Sequence, residues 1–342
     1  FGTVADLAFG ANGHIHILDR QASTVRTFAL DGSFVRSVGG LGEGPGELST
    51  FTYSVLGLEN GSIVVPDRRQ GRFTLFDSAG DVRRVVPIEG GIPTMRWGGT
   101  SLDRLVVRSL QNSMTEDGQF RSWDGVVAMG EDGTIRDTLM VVPEGVNVRM
   151  GEDGPVAPLL IVGPIWDVLE GDRVAVATTD QVQISVLGPA GALERIVRYD
   201  GWRRASVSSS DAERMRELFL QRYTASGMDP AQAAARFASV TGMDRFPAFV
   251  QVLAGPAGGF LVRRMGALDE IDPSYLNAAF FERLGSTSWD VFDADGVRVA
   301  ELTTPEGVDL MEISDTLAAG VHRDTLGVQT VQLFRIGGTE SR

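Results

Sequence analysis

Few residues in this sequence are of types that can do chemistry. There are three histidines, no cysteine, and 31 basic residues, every one an arginine. Without cysteine there is no disulfide, thiolate nucleophile, thiolate zinc site or iron–sulfur cluster. Without lysine there is no Schiff base and no lysine general base; biased codon usage in a GC-rich genome is the plain account of that gap. His14 and His16 alternate along one extended segment, so both rings face the same way, and His322 lies near the other end of the chain. Three histidines are a catalytic zinc set. No G-x-S-x-G elbow is present to build a serine hydrolase. Asp and Glu number 45, and no spacing among them singles out a carboxylate pair.

The loop Gly39–Leu48, GGLGEGPGEL, invites a phosphate-binding reading. A P-loop needs a lysine to reach the phosphates. This loop carries Glu43 and Glu47 instead, which repel them, so it reads as a corner between strands. Asp293-Ala294-Asp295-Gly296 has the opening spacing of a calcium loop. Asp31-Gly32 and Glu131-Asp132-Gly133 hold the matching place in other segments, and turn chemistry explains all three.

Those places are defined by a repeat. Residues 9–38 and 57–86 align without a gap at an offset of 48: Gly13 meets Gly61, Asp19-Arg20 meets Asp67-Arg68, Phe28 meets Phe76 and Arg36 meets Arg84. A period of about 40–50 residues points to a propeller or a solenoid. Within each unit, runs alternating with period two, such as Val25–Leu30 and Ser33–Val38, are separated by Asn-Gly and Asp-Gly turns, which predicts four antiparallel strands. Residues 102–142, 165–199, 248–303 and 307–336 keep the pattern, the first with an insertion near Gln111–Asp124. The last unit lacks a clear fourth strand, which residues at or before Phe1 would supply to close the ring. Glycine is 42 of 342 residues, about 12% against an average near 7%, as many tight turns require.

The repeat resembles the NHL-repeat type of six-bladed β-propeller, on GEGPGEL at 42–48, the paired strands NGHIHILDR and NGSIVVPDR, and the closing HRDTLGVQTVQLFRI. The resemblance covers nearly the whole chain. It implies an all-β, six-bladed β-propeller of four-stranded antiparallel blades, one domain over 1–342 with a helical insertion at about 208–240 between the fourth and fifth blades. Ser210-Asp211-Ala212-Glu213 fits a capping box, Met215, Leu218, Phe219 and Tyr223 follow at helical spacing, and Asp229-Pro230 opens a second helix through Phe237. A smaller helix is expected over Ser274–Arg283. Packed over one face, these would shape or block the mouth of the central channel.

The resemblance also implies candidate sites. The amidating lyases of this fold use a three-histidine zinc, but here His322 aligns near Asp19, roughly 10–16 Å along the strand from the other two, beyond the reach of one ion. Gluconolactonase-like propellers hold a channel metal with Glu, Asn and Asp, so a channel calcium is open, though no residues match that set one by one. Arg20, Arg68, Arg108, Arg264 and Arg323 fall near the ends of the second strand in five units. Equivalent positions ring one face of a propeller, so they form a candidate anion- or partner-binding ring. The alternative is that each pairs with a nearby acid such as Asp19, Asp67 or Asp324. Trp123 and Trp202 stand beside insertions or connectors and are candidate interface residues.

Composition bounds the partners. A net charge of -14 is repelled by nucleic acid and anionic headgroups. The longest apolar run, Pro158–Leu169, is too short and too broken to cross a bilayer. The chain opens on Phe1, as a processed, exported protein or one with a lipid-anchored leader would. The expected function is a non-enzymatic binding or scaffold propeller with no required cofactor. It would be periplasmic or otherwise extracytoplasmic, docking on a larger protein complex, for example as an extrinsic subunit of a membrane complex such as a photosynthetic reaction centre. The alternative is a metal-dependent lyase or lactonase working at the central channel.

Overall fold

A computed structural model describes residues 1–11, 13–88, 93–114, 120–142, 149–151, 154–156, 163–238, 244–268, 285–324 and 326–336. The first blade is β1 (Val4–Gly10), β2 (His14–Asp19), β3 (Thr24–Ala29) and β4 (Phe34–Gly39), and the second is β5 (Leu56–Gly57), β6 (Ile63–Asp67), β7 (Arg72–Phe76) and β8 (Val82–Pro87). The third is β9 (Pro93–Ser101), β10 (Arg104–Met114), β11 (Phe120–Met129) and β12 (Ile135–Val141), followed by a small hairpin, β13 (Arg149–Gly151) and β14 (Gly154–Val156). The fourth is β15 (Pro164–Leu169), β16 (Arg173–Thr178), β17 (Gln183–Leu187) and β18 (Leu193–Arg198). Helices α1 (Ser209–Ala225) and α2 (Pro230–Ala238) precede the fifth, which is β19 (Phe249–Ala254), β20 (Phe260–Met265), β21 (Gly285–Phe292) and β22 (Arg298–Thr303). The sixth is β23 (Val308–Ile313), β24 (Leu317–Arg323) and β25 (Gln329–Arg335). Each first strand lies against the next, β1 on β5, β5 on β9, β9 on β15, β15 on β19, β19 on β23 and β23 on β1, which closes the ring.

Period-two patterning decides the packing. On β6, Ile63 and Val65 join the apolar cluster between the first and second blades, while Val64 joins the cluster between the second and third. Each seam has such a cluster, including one of Val4, Leu7, Ile15 and Ile17 with Ala319 and Val321 where the last blade meets the first. Second strands are therefore buried on both faces and read as near-continuous apolar runs, whereas outer strands such as β4 and β22 are mostly exposed. Trp166 and Trp289 are wholly buried in seams.

Several sequence expectations shift by a few residues. The third blade begins with β9, nine residues ahead of the expected unit, and the insertion at Gln111–Asp124 is a lengthening of one hairpin, with Gln111 paired to Trp123. Helix α1 is capped by Ser208, whose hydroxyl takes the Asp211 N–H while the Asp211 carboxylate takes the Ser208 N–H. The box is thus built two residues earlier than expected. Asp229 caps α2 through the N–H groups of Ala231 and Gln232. The helix expected at Ser274–Arg283 lies outside the described residues. Among the described residues the sixth blade has three strands. Phe1–Thr3 add no fourth to it: Gly2 and Thr3 donate to Asp19, and Phe1 packs edge-on to Phe28 within the first blade.

The Gly39–Leu48 loop turns a corner between blades. Leu41 bridges Leu48, the Glu47 carboxylate folds back onto the Gly44 N–H at 2.7 Å, and Leu48 is buried in the first seam. Asp67 at the end of β6 takes the Ser49 N–H and hydroxyl, both at 2.6 Å, tying the connector to its own blade. Asp19 holds Gly2 and Thr3 in the same way.

At the closing seam, the Gln329 side chain accepts the buried Val4 N–H at 2.5 Å. Gln329→Ala strands that donor, so it is expected to destabilise the ring by about 1–3 kcal/mol in urea unfolding.

Candidate functional site

The two ends of the ring differ. Turns joining first to second strands, and third to fourth, are short throughout; Asp31, Asp77, Asp132 and Asp293 each fold back onto N–H groups two to four residues ahead. Turn chemistry thus accounts for Asp293–Gly296, with Gly296 at φ +75° as that turn demands. Among the described residues the long segments fall at the other end: the 40–55 connector, the lengthened β10–β11 hairpin and the two helices. The helical excursion leaves that end through a narrow neck, where Val207 N–H bonds Asp244 O and Phe246 N–H bonds Ala205 O.

The channel between the first strands carries charges that the sequence reading passed over. Asp6 on β1, Arg96 on β9, Asp167 on β15 and Glu312 on β23 come from the first, third, fourth and sixth blades, yet Arg96 bears on the ionisation of Asp6, and Asp167, Asp6 and Arg96 bear on that of Glu312, so they meet near the axis. Most are tied to neighbouring blades. Asp6 takes the Val55 N–H and the Ser54 hydroxyl, both at 2.9 Å, and Ser54 in turn takes the Trp97 N–H at 3.3 Å. Arg96 pairs with Asp167 at 3.2 Å, and Asp167 takes the Ala254 N–H at 2.7 Å. Glu312 differs: among the described residues its carboxylate has no hydrogen-bond partner. Burial, then the charges of Asp167 and Asp6, push it well above the usual carboxylate range, against the pull of Arg96. Burial also lifts Asp6 to about 6, against its hydrogen bonds. The missed signal was a charge inside each of the apolar runs VADLAFG, PTMRWGGTS, PIWDVL and VDLMEI, the last of which carries two.

The expected arginine ring divides. Arg20 and Arg68 sit in the turns after β2 and β6, and Arg323 ends β24, all at the end with the long segments. Arg20 stacks over Tyr53 at 5.1 Å. Arg108 and Arg264 instead fork onto Asp124 and Asp290, carboxylates with no exposed surface, on the adjacent strands. The acids proposed as partners do other work: Asp19 and Asp67 hold connectors, and Asp324 holds a turn through Leu326 and Val328 N–H. The fivefold guanidinium ring is therefore incomplete, because buried carboxylates claim two of its members. Burial alone would raise the Asp290 carboxyl, but Arg264, Arg298 and Trp202 together hold it below the usual range.

Trp202 is 3% exposed, packed against Phe249, Phe292 and Tyr199 with its indole N–H on Asp290 at 3.1 Å. As an exposed interface aromatic it is thus corrected: a large ring beside a connector fills a seam. Trp123 pairs through its backbone with Gln111 in β11, and its side chain lies outside the described residues. His16 is buried against Thr27 at 2.9 Å, and burial, then Arg36 and His14, lower it to about 4. Among the described residues no three His, Asp or Glu are placed to hold a metal ion.

Asp6 and Glu312 set a pH dependence whose sign is fixed. An acid harder to ionise in the fold than in the unfolded chain lowers stability as pH rises from its unfolded value toward its folded one. For Asp6 that window runs from 3.8 to about 6 and is worth on the order of 3 kcal/mol; for Glu312 it opens at 4.5 and extends higher. Glu312→Gln is expected to leave the melting temperature unchanged near pH 4 and raise it at pH 8, read by calorimetry. Asp290→Ala, which strands Arg264 and Arg298, is expected to cost about 3–5 kcal/mol in denaturant unfolding.

No family model and no curated protein matches the chain. Solved structures share its fold. A member of the DUF4221 family from Bacteroides vulgatus aligns with TM-score 0.54 at 12% identity, over 98% of this chain and 94% of that one. A candidate exported protein of Bacteroides fragilis aligns with TM-score 0.52 at 14% identity, over 94% and 80%. Virginiamycin B lyase from Staphylococcus aureus aligns with TM-score 0.47 at 8% identity, over 98% and 96%. At these identities the likeness to the two Bacteroides structures extends to the propeller fold and no further.

Proposed function

We propose that this chain is a non-enzymatic binding propeller that docks on a larger protein complex through the end of the ring bearing its long segments. The observation that carries the reading is the asymmetry of the two ends. Among the described residues the blades are closed by tight turns at one end, and the 40–55 connector, the lengthened β10–β11 hairpin and the two helices are gathered at the other, where binding residues are ordinarily placed. That end exposes Leu41 at 72% and Leu326 at 87%, together with Phe51 and Val328. These residues belong to the sixth, first and second blades, which are neighbours in the ring, and Arg20, Arg68 and Arg323 stand in the same sector. Apolar side chains among arginines are the composition of a protein interface.

We infer further that the propeller is of the NHL-repeat type, on the 48-residue repeat and its paired strands, and that it is exported and acts as an extrinsic subunit. A bacterial membrane complex such as a photosynthetic reaction-centre assembly is one host for it. No helix among the described residues is long and apolar enough to cross a membrane, so attachment would run through the partner or through an anchor outside this sequence.

A lyase or lactonase acting at the channel is the second reading, and Glu312 favours it: a carboxylic acid on a first strand whose ionisation burial disfavours is suited to donate a proton. The donor set does not fit a calcium ion, since Asp6 and Asp167 already take backbone N–H groups and Arg96 stands among them.

Gentle solubilisation, separation by size and mass spectrometry test the first reading. The chain is expected to migrate with a large assembly, with crosslinks from 40–55 and 324–328, and Leu41→Glu with Leu326→Glu is expected to release it. Migration alone near 36.7 kDa counts against docking and moves the weight to the channel.

A further inference from the structure

At the foot of the helical neck is an open cleft of about 590 Å³. One wall is the turn between β16 and β17, with Asp180, Gln181 and Gln183; the other carries Arg203, Arg204 and Arg245. Arg203 donates to the Trp202 carbonyl at 2.9 Å, and Arg204 donates to the carbonyls of Phe246 and Arg245, both at 3.3 Å. Among the described residues none of the three guanidiniums pairs with a carboxylate, and Arg245 has no side-chain partner. Asp180 is engaged by the Thr178 hydroxyl. The chain as a whole has a net charge of -14, and Arg108, Arg264 and Arg263 elsewhere pair with Asp124, Asp290 and Asp309. Three guanidiniums with no carboxylate partner, brought together by the neck from positions 203–204 and 245, make a local positive field in an acidic protein.

We propose that this cleft binds a carboxylate-rich segment of a protein partner. Guanidinium forks match carboxylates in pairs, and three of them side by side match several acidic side chains along one extended chain. A small anion is the weaker fit, because small-ligand sites bury most of the ligand and this cleft is open. The proposal rests on the docking reading above and names one chemical feature of the partner.

The probe is a fluorescein-labelled hexaglutamate peptide, with hexaglutamine as its neutral counterpart, followed by fluorescence anisotropy on the intact chain. Arg203 and Arg245 are exposed, so the double variant Arg203→Ala/Arg245→Ala is expected to keep the wild-type melting temperature. Arg20→Ala/Arg68→Ala removes the same charge from another sector of the same end. The expected result is that hexaglutamate binds and hexaglutamine does not, that the Arg203/Arg245 variant binds roughly tenfold more weakly or worse, that the Arg20/Arg68 variant binds as wild type, and that added salt weakens the complex. Equal loss in both double variants would show a diffuse electrostatic effect and overturn the proposal. So would citrate or inorganic phosphate displacing the peptide at concentrations far below those at which sodium chloride does, which marks a small-anion site. Co-fractionation separates the two readings: a chain that joins a large assembly but ignores hexaglutamate loses only the cleft proposal, and one that binds hexaglutamate through Arg203 and Arg245 yet migrates alone loses only the docking reading.

Discussion

A ring of sheets has six inner edges, and the backbone donors along them have no strand to pair with. This constraint organises the molecule. A buried N–H without an acceptor costs roughly 1–3 kcal/mol, so each blade must lend a side chain to its neighbour. Asp6 satisfies Val55, Ser54 satisfies Trp97, Asp167 satisfies Ala254 and Gln329 satisfies Val4, while Arg96–Asp167 and Arg263–Asp309 tie the remaining seams. The apolar clusters supply most of the stability: a wholly buried Trp166 or Trp289 is worth about 4–6 kcal/mol by area, several times a single net hydrogen bond. The polar ties supply register, since each is made only when neighbouring first strands stand at one height.

The same logic explains the charges at the channel and the arginines on the strands. Carboxylates drawn inward to cap backbone donors are dehydrated, which is why Asp6 holds its proton to about pH 6. Asp124 and Asp290, with no exposed surface, need a fixed cation and take Arg108 and Arg264. Arginine serves both because its fork fills two carboxylate oxygens at once and its charge survives burial. What remains beyond these structural uses is small and localised: Glu312 in the channel, the apolar and basic sector of the sixth, first and second blades, and the cleft at the neck. Closure by tight turns at one end leaves the other free to lengthen, so the scaffold and the binding surface are nearly independent problems.

Local rules made much of the fold legible. Gly32, Gly80 and Gly296 mark turns because only glycine takes the positive φ those positions require. The alternation in Val25–Leu30 is that of a strand with one open face, and the exact 48-residue offset of Asp19-Arg20 and Asp67-Arg68 declares a repeat before any contact is known. The dismissal of the glycine loop as a phosphate site also needed only its own residues. By contrast, a short strand such as β5, two residues long with buried neighbours, carries no periodicity of its own, and β9 is hidden in a stretch with no repeat-like turn before it.

The sequence alone therefore determined the number of units, their strand grammar, the absence of thiol and lysine chemistry, and the two-helix excursion, because each depends on residues near one another in the chain. Partnership was decided only by the tertiary structure. Arg108 and Asp124, Trp202 and Asp290, or Glu312 and Asp6 are separated by 16, 88 and 306 residues, and no local pattern records which of them will be brought together. Whether a charge ends in a seam, on a rim or at the axis depends on the ring closing, and that is a property of all six blades at once.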